Sequence, residues 1–200
     1  APLIPRDDQR NSKVSFDVRP ASADHAPSCS SKGVLSQLAG SRADEVIADD
    51  CEVPNNSFTQ PMRDKLSEAV KEFEAILKPS GKITFLGTPQ VENSLYLTLE
   101  ERGYETRIWT ARYPNHKNNY GDRLAPRLAK NLLEGSVQPQ DPVDPIRFSA
   151  QDLMEREASY GRSGFNLQFM LDTTLSDQDR YPLKINDLVI MSVNKEYAPE

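Results

Sequence analysis

Residues 43–50, Ala-Asp-Glu-Val-Ile-Ala-Asp-Asp, constrain this chain more than any other stretch. Val46, Ile47 and Ala48 form a short apolar run that reads as a buried strand. Two adjacent carboxylates, Asp49 and Asp50, stand at its carboxyl end, where packing gives no reason for them. In open α/β sheets, ligands bind in the crevice outside the carboxyl ends of the strands. An acidic pair in that position is the layout with which a nucleotide hydrolase holds Mg2+ and orients a water. Like charges side by side in a crevice also call for a cation to offset them. The alternative is an ordinary Asp-rich turn after a strand.

The surrounding pattern decides what kind of sheet this strand belongs to. Val14, Phe16 and Val18 alternate with polar neighbours and predict a half-buried strand, followed by a Ser-, Ala- and Pro-rich loop over 20–31. Residues 33–38 offer a short apolar element before the acidic strand. Pro54 to Ser57 breaks the chain. Leu66, Val70, Phe73 and Leu77 then recur at helical spacing, with Pro61 suited to a first turn, and predict a helix from about 60 to 77. Residues 82–87 read as a second strand that delivers Thr88, Pro89 and Gln90 at its carboxyl end. Leu95, Tyr96, Leu97 and Leu99 lie on a short helix closed by Gly103, and 104–111 reads as a third strand. Strand, helix, strand, helix, strand over 43–111 is the pattern of a parallel α/β sheet.

Beyond that point the pattern changes. A polar loop over 112–122 leads to a helix over 123–133, and 135–145, with three prolines, reads as a linker or lid. A helix near 149–160 opens with Ser149 as N-cap and Asp152 three residues on, a capping-box arrangement. An apolar element of open type follows over 165–171, and 183–191 is a candidate further strand. The division expected is therefore 1–111 as part of an α/β core and 112–200 as a smaller mixed subdomain.

Composition narrows the classes. With 37% hydrophobic and 27% charged residues the chain can pack a core, and no apolar run approaches the length that spans a bilayer. The net charge of −6 argues against a surface coated in basic residues, while leaving room for a local basic patch. Two cysteines, Cys29 and Cys51, without a CxxC or a ligand spacing, predict reduced thiols and no zinc site. Ala1-Pro2 in place of a Met start predicts an internal piece of a longer protein.

Four further positions bear on chemistry. Thr88 and Gln90, one strand over from the acidic pair in a parallel sheet, could contact a γ-phosphate or water; a tight Pro turn with a helix cap is the alternative. Arg42, just before the acidic strand, could stabilise a transferring phosphoryl in cis or across a subunit boundary, or simply pair with Asp44 or Glu45. No G-x-x-x-x-G-K-[ST] occurs anywhere, since Gly81-Lys82 runs into Ile83, so the phosphate cradle lies outside this sequence. Residues 102–130 are rich in Arg and Lys, with Tyr104, Trp109, Tyr113 and Tyr120 interleaved. That suits either a DNA-backbone surface or a solvated face over core aromatics.

In order along the chain, Gly40-Ser41-Arg42-Ala43-Asp44 with Ile47-Ala48-Asp49-Asp50, then Phe85-Leu86-Gly87-Thr88-Pro89-Gln90, resemble the large terminase subunit of short-tailed double-stranded DNA phages. So do Arg102-Gly103-Tyr104, Arg123-Leu124-Ala125-Pro126 and Gly164-Phe165-Asn166-Leu167-Gln168-Phe169-Met170-Leu171. The resemblance implies a P-loop NTPase-like sheet of RecA/ASCE type, incomplete here, with the phosphate-binding loop upstream and a nuclease domain downstream. It implies ATP and Mg2+ as cofactors, Asp49 as the Mg2+ ligand, Asp50 as the catalytic carboxylate, Thr88 and Gln90 as the coupling segment, and Arg42 as a candidate arginine finger. Most members carry Glu where Asp50 stands. The implied partners are double-stranded DNA, the portal protein and a small terminase subunit, in a homo-oligomeric ring without membrane contact. The implied place is the host cytoplasm, transiently at the procapsid portal. A helicase-like P-loop ATPase and a non-catalytic interaction module are the rival readings. The 200 residues alone are expected to be inactive for want of the phosphate cradle.

Overall fold

A computed structural model describes residues 3–22, 24–91, 93–115 and 120–173. The chain divides into two compact units. One comprises residues up to Gly87 together with Ser94–Leu99, and the other comprises Thr88–Asn93 with Glu100 onward.

The first unit is built on a parallel strand–helix–strand core. Strands β1 (Ser15–Phe16) and β2 (Cys29–Ser30) form only a two-residue antiparallel ribbon. The half-buried strand expected at 14–18 is thus reduced to a stub, and Val14 and Phe16 remain exposed. Polar side chains hold this region instead: Asp17 accepts from the backbone N–H groups of Arg10 and Ser28. The Ser28 bond is the main cause that lowers the Asp17 pKa; desolvation opposes it, and the Arg10 bond and charge lower it further.

Strand β3 (Ala43–Asp49) pairs in parallel with β4 (Leu77–Leu86) from Glu45↔Lys82 to Asp49↔Leu86. Between them lie a single helical turn, α1 (Pro54–Ser57), and the 17-residue α2 (Gln60–Ile76). The helix buries Leu66, Val70 and Phe73, as its periodicity marks, and closes the stripe with Ile76 in place of the expected Leu77, which already has extended backbone. Leu77 leaves the helix and opens β4, and Ser80, in the left-handed region at φ 66°, accommodates the register shift near the strand's start. Cross-strand pairs share a face. Val46 with Ile83 and Ala48 with Phe85 therefore lie together, and Phe85 stacks on Phe73 of α2 at 5.9 Å. The opposite face carries Ile47, Thr84 and Leu86. Ile47 is 62% exposed, so the run expected to be buried is covered on one side only. Helix α3 (Leu95–Glu101) buries Leu95 and Leu99 and ends at Gly103, whose φ of 95° suits glycine.

The third strand expected over 104–111 does not form; Ile108 makes one isolated bridge, to Leu124. The backbone of this segment finds its partners inside the second unit. Ile108 N–H donates to Arg123 O (2.7 Å), Ala125 N–H to Ile108 O (3.0 Å), and Ala111 N–H to Phe169 O (2.7 Å). Among the described residues the parallel sheet therefore has two strands, in a mixed α/β chain.

The second unit contains a 3-10 turn (Gly121–Arg123), α4 (Pro126–Leu133), α5 (Ala150–Phe165) and a π-type turn (Asn166–Met170). Tyr113, Tyr120, Leu124, Ala125 and Leu128 form one core cluster, and Leu153, Phe165 and Met170 form another. The proline-rich stretch is no free linker. Val143 N–H donates to Ala111 O and Tyr113 N–H to Asp141 O, each at 2.9 Å, and Val137 and Val143 pack on the first cluster. The capping box of α5 forms as expected, Ser149 Oγ accepting from Asp152 N–H and Asp152 Oδ2 from Ser149 N–H. The helix breaks at Gly161 (φ 69°) before Phe165, which stacks on Phe169 at 5.0 Å. The strand expected over 183–191 lies outside the described residues. No helix among those described is long and apolar enough to cross a membrane.

Candidate functional site

The acidic pair stands where the sequence puts it, at the carboxyl end of a parallel strand. Asp49 is the last residue of β3, opposite Leu86, the last of β4. Asp50 turns out of the sheet with φ 46°, a conformation that Asp tolerates better than most residues, and its N–H donates to Leu86 O at 2.9 Å. Both carboxylates are exposed. The ion pairs of this sheet, Lys78 with Asp44 (2.9 Å) and Lys82 with Glu45 (3.0 Å), lie nearer its other end and leave Asp49 and Asp50 outside them. An exposed carboxylate at a strand end fits a hard, oxygen-seeking cation such as Mg2+. No group of three or more His, Cys, Asp or Glu converges on a metal site among the described residues.

Behind the exposed pair the chain turns inward. Cys51 is buried, and burial, with the charges of Asp49 and Asp50, raises its thiol pKa, which keeps it protonated. Cys29 is exposed, and both thiols are free. Glu52 is 2% exposed. Its Oε2 accepts from Ser94 Oγ (3.0 Å) and from Leu95 N–H (2.5 Å), so it joins the acidic turn to the start of α3. Two residues on, the Tyr96 hydroxyl donates a long bond (3.4 Å) to Leu86 O, at the end of β4. Burial raises the Tyr96 pKa, the charges of Glu52, Cys51 and Asp50 raise it further, and a hydrogen bond with the Glu52 backbone opposes them. Gly87 permits this approach: a Cβ there would collide with Tyr96 Oη and stand 3.5 Å from Asp50 Oδ1.

Asp49 and Asp50 are therefore joined by Glu52 and Tyr96, to which motif reading gave no role, and by Gly87, which the sequence marks only as part of the Phe85–Gln90 stretch. One signal was available. Ser94 precedes an apolar helical run, and a buried carboxylate just after a strand needs hydrogen-bond donors such as a helix start provides.

Thr88 follows Gly87 directly, and Gln90 Nε2 donates to Thr88 O at 3.0 Å, so the Gln90 side chain folds back on the backbone of Thr88. Arg42 is exposed, and its Nη1 donates to Ser41 O at 2.7 Å. It precedes β3, whereas the acidic pair ends it. A seven-residue strand separates them, about 20 Å of extended chain, so Arg42 does not reach Asp50 of the same chain. Its suggested acidic partners, Asp44 and Glu45, are engaged by lysines.

The basic stretch over 102–130 is largely neutralised where it is described. Arg112 pairs with Glu157 at 2.6 Å and lies 4.7 Å over the Phe165 ring, Arg107 pairs with Glu105, and Arg123 approaches Glu100 at 3.7 Å. Tyr113 and Tyr120 are core residues, which favours the solvated face over the DNA surface, although Trp109 is 54% exposed.

No protein-family model matches the chain. It is 50% identical over 204 aligned positions, 98% of its length, to the terminase large subunit of Enterobacteria phage T3, of which it spans 35%. That similarity, running through nearly the whole chain, agrees with the resemblance read from its residues: the chain is similar to about a third of the large terminase subunit of a short-tailed double-stranded DNA phage.

Proposed function

We propose that this chain supplies the hydrolytic edge of the ATPase core in a viral DNA-packaging motor. The observation that carries the reading is the exposed Asp49–Asp50 pair at the carboxyl end of parallel strands. In this reading the two strands belong to a larger P-loop sheet of RecA/ASCE type. ATP supplies the phosphoryl group, and Mg2+ offsets the charge of its phosphates. Asp49 holds that ion, and Asp50 orients and deprotonates the attacking water. Thr88 and Gln90 register the nucleotide state. Arg42, too far from Asp50 of its own chain, serves a neighbouring subunit's nucleotide in a homo-oligomeric ring. The complete protein acts on double-stranded DNA with the portal protein and a small terminase subunit, in the host cytoplasm and transiently at the procapsid. Its nuclease activity belongs to a domain beyond these residues.

The test is Asp50→Asn in the complete subunit. Turnover of ATP should fall by at least about 10²-fold, the contribution of a positioned general base, while ATP binding is retained. A variant that hydrolyses ATP at the parent rate would remove Asp50 from the chemistry.

A further inference from the structure

We infer that Glu52 and Tyr96 are positioning residues, which clasp the ends of β3 and β4 together and so fix where the Asp50 carboxylate stands. The inference rests on the reading of Asp50 as the hydrolytic carboxylate. Three independent contacts carry it. Buried Glu52 accepts from Ser94 Oγ and Leu95 N–H, which pins the chain two residues past Asp50 to the start of α3. From that same helix start, Tyr96 reaches back and donates to Leu86 O. The Asp50 N–H donates to that same Leu86 carbonyl, so one oxygen receives both the acidic turn and the helix. Gly87 closes the arrangement from the other side, because only the absence of a Cβ lets the Tyr96 hydroxyl lie against it.

Without the clasp, little would hold the Asp50 side chain. It is exposed, its backbone is in the left-handed region, and the single bond from its N–H is its anchor to β4. A carboxylate that must orient a water needs firmer support, since a displacement of about 1 Å can cost on the order of 10²-fold in rate. The buried carboxylate also explains the spacing of the acidic run. Asp49 and Asp50 face outward for chemistry, and Glu52 faces inward to hold them there.

The experiment uses the complete terminase subunit with three substitutions. Tyr96→Phe removes only the hydroxyl. Glu52→Ala removes the acceptor, and Glu52→Gln keeps an acceptor oxygen for Ser94 and Leu95 while removing the charge. ATP turnover is measured together with hydrogen exchange at residues 49–53. Tyr96→Phe and Glu52→Ala should each lower kcat about tenfold or more with KM for ATP nearly unchanged, because Asp50 is misplaced while the phosphate cradle is intact. Exchange at Asp50 should accelerate while α2 keeps its protection, and Glu52→Gln should recover most of the lost kcat. A merely structural role would instead lower the melting temperature and leave kcat and exchange at 49–53 unchanged; that result overturns the inference. Unchanged exchange overturns it even if the wild-type protein proves not to hydrolyse ATP. Wild-type protein without turnover, or an active Asp50→Asn, overturns the assigned chemistry and with it the catalytic role of the clasp.

Discussion

At the scale of single residues, the informative position is Gly87, which no motif singles out for its own sake. A strand end usually tolerates alanine. Here the added methyl would occupy the space of the Tyr96 hydroxyl, and the nearest ring carbon stands close behind it. Gly87→Ala must therefore push Tyr96 away from Leu86 O or bend the chain at the end of β4. Overpacking of this kind costs about 1–3 kcal/mol. Urea unfolding of the Gly87→Ala chain should show that loss. The double variant Gly87→Ala, Tyr96→Phe should recover part of it, since the hydroxyl oxygen is the atom struck first. A double variant no better than Gly87→Ala alone would place the strain elsewhere. Asp50 makes a related point about legibility. The acidic pair is visible in sequence because two carboxylates after Val-Ile-Ala have no packing purpose. Glu52, two residues on, is set apart from the pair by its burial and its bonds to Ser94 and Leu95.

At the scale of elements, what was legible follows from where each element's stabilising contacts lie. Helix α2 was legible because its burial repeats every three to four residues and its N-terminal proline is local information. Helix α5 was legible at its start for the same reason: Ser149 and Asp152 satisfy each other's backbone donors three residues apart. The Ser149 hydroxyl, then its backbone N–H, hydrogen-bond the Asp152 carboxylate and lower its pKa; desolvation opposes them, and the Arg156 charge adds the smallest lowering. A carboxylate whose folded pKa is depressed contributes stability above its unfolded value near 3.8 and loses it as pH falls through the folded value. The first turn of α5 should therefore stay intact from neutral pH down to about 4 and fray below it. Amide signals of Ser149 and Asp152 followed by NMR should report that transition, and Asp152→Asn should abolish its pH dependence. The segment over 104–111 was not legible on the same terms. Bulky apolar Ile108 and Trp109 suggest a strand there, but partners distant in sequence, Arg123, Ala125 and Phe169, take its backbone groups. The exposure of Ile47 is a similar case, because a short apolar run states that a strand exists without saying how many of its faces are covered.

At the scale of the whole molecule, the question is how much of a nucleotide-hydrolysing site 200 residues contain. In the proposed reading the acidic pair supplies a metal ligand and a carboxylate for water. Binding a triphosphate, however, depends chiefly on backbone N–H groups of a Gly-rich loop and its lysine, which surround the β- and γ-phosphates. No such motif occurs in this sequence, and the one Gly-Lys pair, Gly81-Lys82, is already committed. Gly81 packs against Leu77 and Asp44 O, where a Cβ would meet atoms within 2.9 Å, and Lys82 pairs with Glu45 near the amino-terminal end of the sheet. Two exposed carboxylates without that cradle repel a triphosphate more than they attract it, and a loosely held cation would not place its γ-phosphate in line with a water. The 200-residue chain mixed with Mg2+ and ATP should therefore release phosphate no faster than buffer. The complete subunit should turn over at a rate that Asp50→Asn removes. Turnover by the 200 residues alone, if it disappears in Asp50→Asn, would mean that the phosphates are gripped by groups of this chain. The Arg- and Lys-bearing loops around the two units would then be the first place to look for them.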